Sequence, residues 1–255
     1  MAQNQGFEQG KVRVSREADA LGFSYQGEKF WAVKPEYTGT YTDVGSAIER
    51  DGLLKPSFGM TVAYAHPAFL PLMNRGVQDT EDALQIRWVI KNNHWLWGFT
   101  IIDYRKDKGA FFYEDEDESA IFGSFRTNQL EEMLGRREEN KAIFSNDGKL
   151  RFAPFETYKN EWLELDALAK SSYLTALANG AEQAALTAEI AATFAYGPRL
   201  LALDSGEVIN QETIVSSLGS DRFFGSRLVV GGDDHGVYWS GNAFGVSRTG
   251  EAVKQ

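Results

Sequence analysis

The chain has 255 residues, a formal net charge of −10 and a pI of about 4.9. With no cluster of Lys and Arg, that charge excludes nucleic acid and anionic membranes as natural partners. Cysteine is absent, which excludes thiol nucleophiles, thiolate metal sites and a disulfide framework.

Residues 1–24 are polar, with a short helix expected near 15–21. No apolar run has the length of a signal peptide, and none approaches the roughly 18 residues of a membrane span. Synthesis in the cytoplasm is expected, with the product free or associated with a virion or a surface. KFWAVKP, residues 29–35, alternates as a strand and is expected to end at Pro35. VGSAIER follows as a short helix capped by Thr42 or Asp43 and stopped by Gly52. A second helix is expected over 59–69, broken by Pro67. Thr80 caps a third, with acids in its first turn and Leu84, Trp88 and Val89 on its apolar face. WLWGFTIIDYR reads as a strand, with Trp95 and Trp97 turned the same way into a core.

Residues 103–125 look like a hairpin or a mobile excursion. EDEDE at 114–118 lacks the glycine and spaced acids of a calcium loop and reads as a solvated acidic turn. TNQLEEMLGRREENK reads as one helix with a capping-box start at Thr127, and LRFAPF is a short strand. Residues 160–197 are rich in Ala, Leu and Glu and read as helices stopped by Gly180 and Gly197. LLALD is a strand, and from Phe223 onward the chain is strand and loop. Helices and strands are mixed without βαβ alternation, the pattern of an α+β fold. Nothing in the composition marks a linker, so one domain over residues 1–255 is expected.

The chemical motifs are sparse. Neither GxSxG, GxGxxG nor a phosphate loop occurs. His66 and His94 have no metal-ligand spacing, and Glu161, Glu164 and Asp166 read as a solvated helix face. Asp233, Asp234 and His235 can bind a divalent metal or act as acid and base. Alternation in extended chain, however, turns neighbouring side chains in opposite directions. The expected cofactor is none.

The most unusual stretch is RLVVGGDDHGVYWSGNAFGVSR, at 227–248. Two apolar strands, LVV and FGV, bracket Gly, Asp, His, Tyr, Trp, Ser and Asn. Tyr and Trp supply rigid contact area, while Ser, Gly and Asn supply adaptable hydrogen bonds. A fixed pair of strands carrying such a segment is a common construction for a binding surface.

GSRLVVGGDDHGVYWSGNAFGVSR resembles the C-terminal end of C-type-lectin-like folds related to formylglycine-generating enzymes. It is similar in particular to the variable proteins of diversity-generating retroelements; TYTDVGSAIERDGLLKPSF and WLWGFT are similar to proteins with such endings. The resemblance implies a C-type-lectin-like fold with additional helices. It also implies a C-terminal region, 221–248, rewritten by adenine-directed mutagenesis and displayed to a protein or surface-glycan ligand. The enzyme's cysteines are missing, so its activity is not implied and no catalytic residue is expected. Fixed residues would be Gly225, Arg227, Leu228, Val229, Val230, Phe244, Gly245, Val246 and Arg248. Displayed residues would be Arg222, Phe223, Ser226, Asp233, Asp234, His235, Val237, Tyr238, Trp239, Ser240 and Asn242. Two other readings stay open: a metal-dependent hydrolase using Asp233, Asp234 and His235, and a structural virion or assembly protein.

Overall fold

The computed structural model describes residues 20–73, 77–92, 95–114, 119–220, 227–233 and 240–249. It opens with a hairpin, β1 (Ala20–Tyr25) and β2 (Glu28–Gly39). Its two-residue turn places Gln26 at φ 50° and Gly27 at φ 80°, the doubly left-handed turn whose twist suits a hairpin. β2 does not stop at Pro35 as expected. It pairs antiparallel with β11 (Gly241–Ser247), and between the pairs Gly245–Val33 and Ala243–Tyr37 the register shifts. One residue of β11 there spans three of β2. A bulge needs no ladder hydrogen bond from the proline nitrogen, so the strand continues past it.

Helix α1 (Tyr41–Arg50) starts one turn earlier than expected, because Thr40 is the cap: its hydroxyl accepts the Asp43 amide at 3.3 Å. Helix α2 (Phe58–Met73) runs through both Pro67 and Pro71. Each proline costs a helix interior about 3 kcal/mol. Here an almost continuously buried run from Phe58 to Phe69 offsets that loss. Helix α3 (Glu81–Lys91) is capped by Thr80 with Glu81 and Asp82 in its first turn, as expected. Of its expected apolar face, only Val89 is buried. Ala83, Ile86, Val89 and Ile90 point inward, while Leu84 and Trp88 are 53% and 55% exposed.

Strand β3 (Leu96–Arg105) organises the rest. It pairs antiparallel with β4 (Gly109–Glu114) and β9 (Gln211–Ser220), and at Leu96 it touches β11 in parallel. The sheet runs β1-β2-β11-β3-β4-β7-β6-β5, with β7 (Arg151–Pro154), β6 (Ala142–Ser145) and β5 (Leu134–Glu139) on the far side. A branch leaves β3 through β9 to β10 (Leu228–Asp233) and β8 (Arg199–Leu201). The sheet is covered on both faces. Leu96, Ile102 and Tyr104 of β3 join one large core with α2, α3, α7 (Ser172–Leu177) and α8 (Ala181–Ala191). Trp97 and Phe99, on the other face, join a smaller core with Tyr41, Val44 and Ile48 of α1. Burial on both faces explains why β3 reads as a nearly unbroken apolar run.

The stretch expected as one long helix from Thr127 is instead α5 (Thr127–Met133) followed by β5. Leu134–Glu139 is an edge strand whose charged residues suit an unpaired sheet edge. Arg126 takes the cap position in place of Thr127, and its amide donates to the Gln129 side chain at 2.8 Å. Of the expected acidic turn, residues 115–118 lie outside the described residues, and Glu114 is the last residue of β4. One carboxylate oxygen accepts from Arg151 at 2.5 Å and the other from Thr100 at 2.7 Å. Thr100 in turn accepts the Phe58 amide at 3.0 Å. These bonds join β7, β4, β3 and the start of α2 around Arg151, which is completely buried. Gly180 caps the start of α8, and α8 ends at Ala191, before Gly197. Among the described residues no helix is long and apolar enough to cross a membrane.

Candidate functional site

The two apolar strands expected around the unusual stretch are present as β10 and β11. Leu228, Val229 and Val230 are at most 3% exposed, and Ala243, Phe244 and Val246 at most 1%. They are not a hairpin. β10 lies between β8 and β9, and β11 lies between β2 and β3. Across the sheet the order is β10, β9, β3, β11. The chain therefore leaves β10 at Asp233, opposite Val215, and returns at Gly241, opposite Gly39, on the far side of two intervening strands.

Close backbone packing fixes both anchor strands. Gly231 has φ +133° and lies so near Leu201 that a Cβ would stand 2.0 Å from its carbonyl oxygen, so only glycine fits. Gly241 lies on the Trp97 ring, where a Cβ would meet Cε2 at 2.5 Å. The ring belongs to an aromatic cluster: Tyr41 meets Trp97 edge-on at 5.9 Å and Phe99 at 4.7 Å. Trp97 is 2% exposed, and half-buried Trp95 packs against the same cluster, as the core reading of this pair expected. The Trp95 carbonyl accepts the Asn242 amide at 2.7 Å. Beside it the Tyr37 hydroxyl donates to Asp51 at 2.6 Å, and burial followed by this carboxylate pushes the phenol up to about 12.

Of the residues expected to be displayed, Arg222, Phe223, Ser226, Asp234, His235, Val237, Tyr238 and Trp239 lie outside the described residues. Asp233 is the last residue of β10. Ser240 is exposed immediately before β11. Asn242 departs from the expectation. It is 5% exposed, and its side-chain carbonyl accepts the Thr38 hydroxyl at 2.8 Å. Strand alternation and the pairing with β2 turn it into the sheet, so it helps hold the anchor.

Among the expected fixed residues, Gly225 lies outside the described set. Gly245 packs on Leu53, and Arg248 pairs with Glu28 at 3.2 Å. Arg227 stacks over Trp162 at 4.1 Å and Tyr196 at 5.0 Å, and Arg199 lies over Trp162 at 5.1 Å. Trp162 and Tyr196 are 46% and 54% exposed. Nothing in the sequence singled out these two aromatics; the signal that finds them is Arg227, an arginine at the mouth of an apolar strand that needs a partner.

His66 of α2 meets Glu189 of α8 at 2.7 Å. His94 lies outside the described residues. Among the described residues no three of His, Cys, Asp and Glu stand close enough to hold a metal. Two cavities, of about 240 and 440 Å³, lie elsewhere, beside Tyr158 and beside Asn179.

A forked sheet whose first hairpin and last strand pair side by side, with helices on both faces, is a C-type lectin fold. It is similar to a solved structure described as "Accommodation of massive sequence variation in Nanoarchaeota by the C-type lectin fold". The TM-score is 0.51 and the sequence identity 9%, over 85% of this chain and 98% of that one. No family model matches the chain, and no curated protein matches it.

Proposed function

We propose that this chain is a non-enzymatic ligand-binding protein that displays the residues of the 222–242 stretch outside its buried anchors to a protein or surface glycan. One observation carries the reading. β10 and β11 are buried and locked by glycine contacts on opposite sides of β9 and β3. The sequence between them can therefore change without moving the anchors. The C-type lectin fold lends support, since a structure of that fold is described as accommodating massive sequence variation. Tyr238, Trp239 and Phe223 would bury against the partner, while Asp233, Asp234, His235 and Ser240 would hydrogen-bond around them. Diversification by a retroelement is part of the proposal.

Sequencing this gene across its source population tests it. Substitutions should cluster in the codons for residues 222–242, at positions that are adenine in a nearby template copy. The codons for Leu228, Val229, Val230 and Asn242 are the exceptions: they should be nearly constant, because these buried residues hold the anchors. Uniform variation along the gene would refute display, and a stoichiometric metal lost in Asp234→Ala would replace it with metal chemistry.

A further inference from the structure

Strands β8 and β10 part where the chain is about to leave the sheet. Their parallel pairing runs from Arg199 opposite Val229 to Leu201 opposite Gly231 and stops there. Gly231 lies hard against the Leu201 carbonyl. Beyond that point backbone amides of both segments turn to side chains. The Leu203 amide donates to the Tyr104 hydroxyl at 3.1 Å, and the hydroxyls of Tyr104 and Tyr173 hydrogen-bond each other at 2.7 Å. The Gly232 amide donates to the Tyr173 hydroxyl. Two phenols thus stand between the diverging segments and join Leu203 to Gly232, next to the last residue of β10.

Both side chains are completely buried. Their rings stack on each other at 6.4 Å; Tyr104 also stacks on Phe155 at 6.4 Å, and Tyr173 meets Phe112 edge-on at 5.0 Å. Phenylalanines would fill the same space. A buried hydroxyl costs stability unless it is bonded, so these two oxygens are explained by what they hold: each other and two backbone amides. Burial above all raises both phenols far above their ordinary value, so the bridge keeps its protons around neutral pH. Tyr158 supplies the contrast. It is 7% exposed and its ring lies 4.9 Å from Tyr173, yet its hydroxyl bonds to nothing among the described residues.

Given the displayed segment proposed above, we infer that Tyr104 and Tyr173 are positioning residues for it: their paired hydroxyls fix where the chain leaves the sheet after Gly232. At the return, Gly241 against Trp97 and Asn242 against Thr38 do the same for β11. A binding segment is held to one geometry by supporting groups on rigid elements. Tyr104 stands on β3 and Tyr173 on α7, both outside the segment and both locked in the large core. The exit is therefore set by the frame and not by the residues displayed.

Magnetic resonance of the whole chain tests the inference, because Tyr173→Phe removes one oxygen and keeps the ring. The pair Gly-Gly occurs once, at 231–232. Glycine labelled at both nitrogen and carbonyl carbon therefore reports the Gly232 amide alone in a carbonyl-filtered spectrum. In Tyr173→Phe that amide should exchange with solvent about fivefold faster, the factor that goes with one neutral hydrogen bond. Gly98 and Gly219, in β3 and β9, should keep their rates. Fluorotryptophan reports on the segment itself. Of the six tryptophans, Trp239 lies within it, and its fluorine signal should shift while that of Trp97 stays. Tyr104→Phe should act in the same direction and less strongly, since Tyr173 keeps Gly232 but loses its own support. Tyr158→Phe, which removes a hydroxyl from the same core without touching the bridge, should change neither signal. An unaltered Gly232 amide or Trp239 signal in Tyr173→Phe, or an equal change in Tyr158→Phe, would overturn the inference. So would faster exchange at every glycine together, which would make the pair ordinary core. Uniform variation of the gene would refute display and leave these spectra as they are, so the two readings fail separately.

Discussion

Asn242→Ala separates anchoring from display at a single position. Asn242 is 5% exposed and accepts the Thr38 hydroxyl at 2.8 Å. Removing the amide forfeits one neutral hydrogen bond, about 1 kcal/mol net. Thr38 is exposed, so its hydroxyl turns to water and adds no orphan cost. The space left between β2 and β3 adds something under about 1 kcal/mol. The expected loss is thus about 1–2 kcal/mol, a fall of roughly 3–6 °C in melting temperature for a chain of this size. Ser240→Ala, two residues earlier and exposed, should change stability by less than about 0.5 kcal/mol. Urea unfolding followed by tryptophan fluorescence measures both. Equal midpoints for the two variants and the parent would refute the argument and return Asn242 to the displayed set.

Two further substitutions probe the frame. Glu114→Ala leaves the buried Arg151 guanidinium without its carboxylate. It should cost on the order of 3 kcal/mol, the low end for a broken buried pair, because Glu114 keeps 26% of its side chain exposed. A loss below about 1 kcal/mol in urea unfolding would show that Arg151 is satisfied by other means. The Tyr37 phenol is raised from 10.0 to about 12. A raised value means the folded state holds the proton more tightly, so this contribution is complete below pH 10 and is lost as pH climbs from 10 to 12. Tyr37→Phe should therefore lose less stability than the parent over that interval, and parallel curves would refute the raised phenol.

The elements that local chemistry controls were legible in the sequence. Thr80 followed by Glu81 and Asp82 announces a helix start, and the apolar run of β3 announces a strand. The anchors LVV and FGV were legible for the same reason. The misreadings share a cause: they depend on partners outside the element itself. Periodicity shows that α3 has apolar stripes, but Ala83-Ile86-Ile90 and Leu84-Trp88 both qualify, and only the packing of α2 chooses between them. Residues 134–139 have helical composition, yet pairing with β6 makes them an edge strand. Asn242 reads as a surface residue until β2, some two hundred positions earlier, is seen beside it. Pro67 reads as a break until the burial around it outweighs its cost. The candidate site was thus readable as a segment, and its boundary with the anchor was not.

The pairing of β11 between β2 and β3 has a consequence for how the protein is made. During synthesis every other strand among the described residues emerges first, and the gap between β2 and β3 stays open until residue 247 leaves the ribosome. Until then two unpaired strand edges are available to other chains. A stop codon or a shifted reading frame anywhere in residues 222–242 removes this interior strand as well as the segment before it. Only a gene read in frame to its last strand closes the sheet, so folding itself screens whatever changes arise upstream of β11.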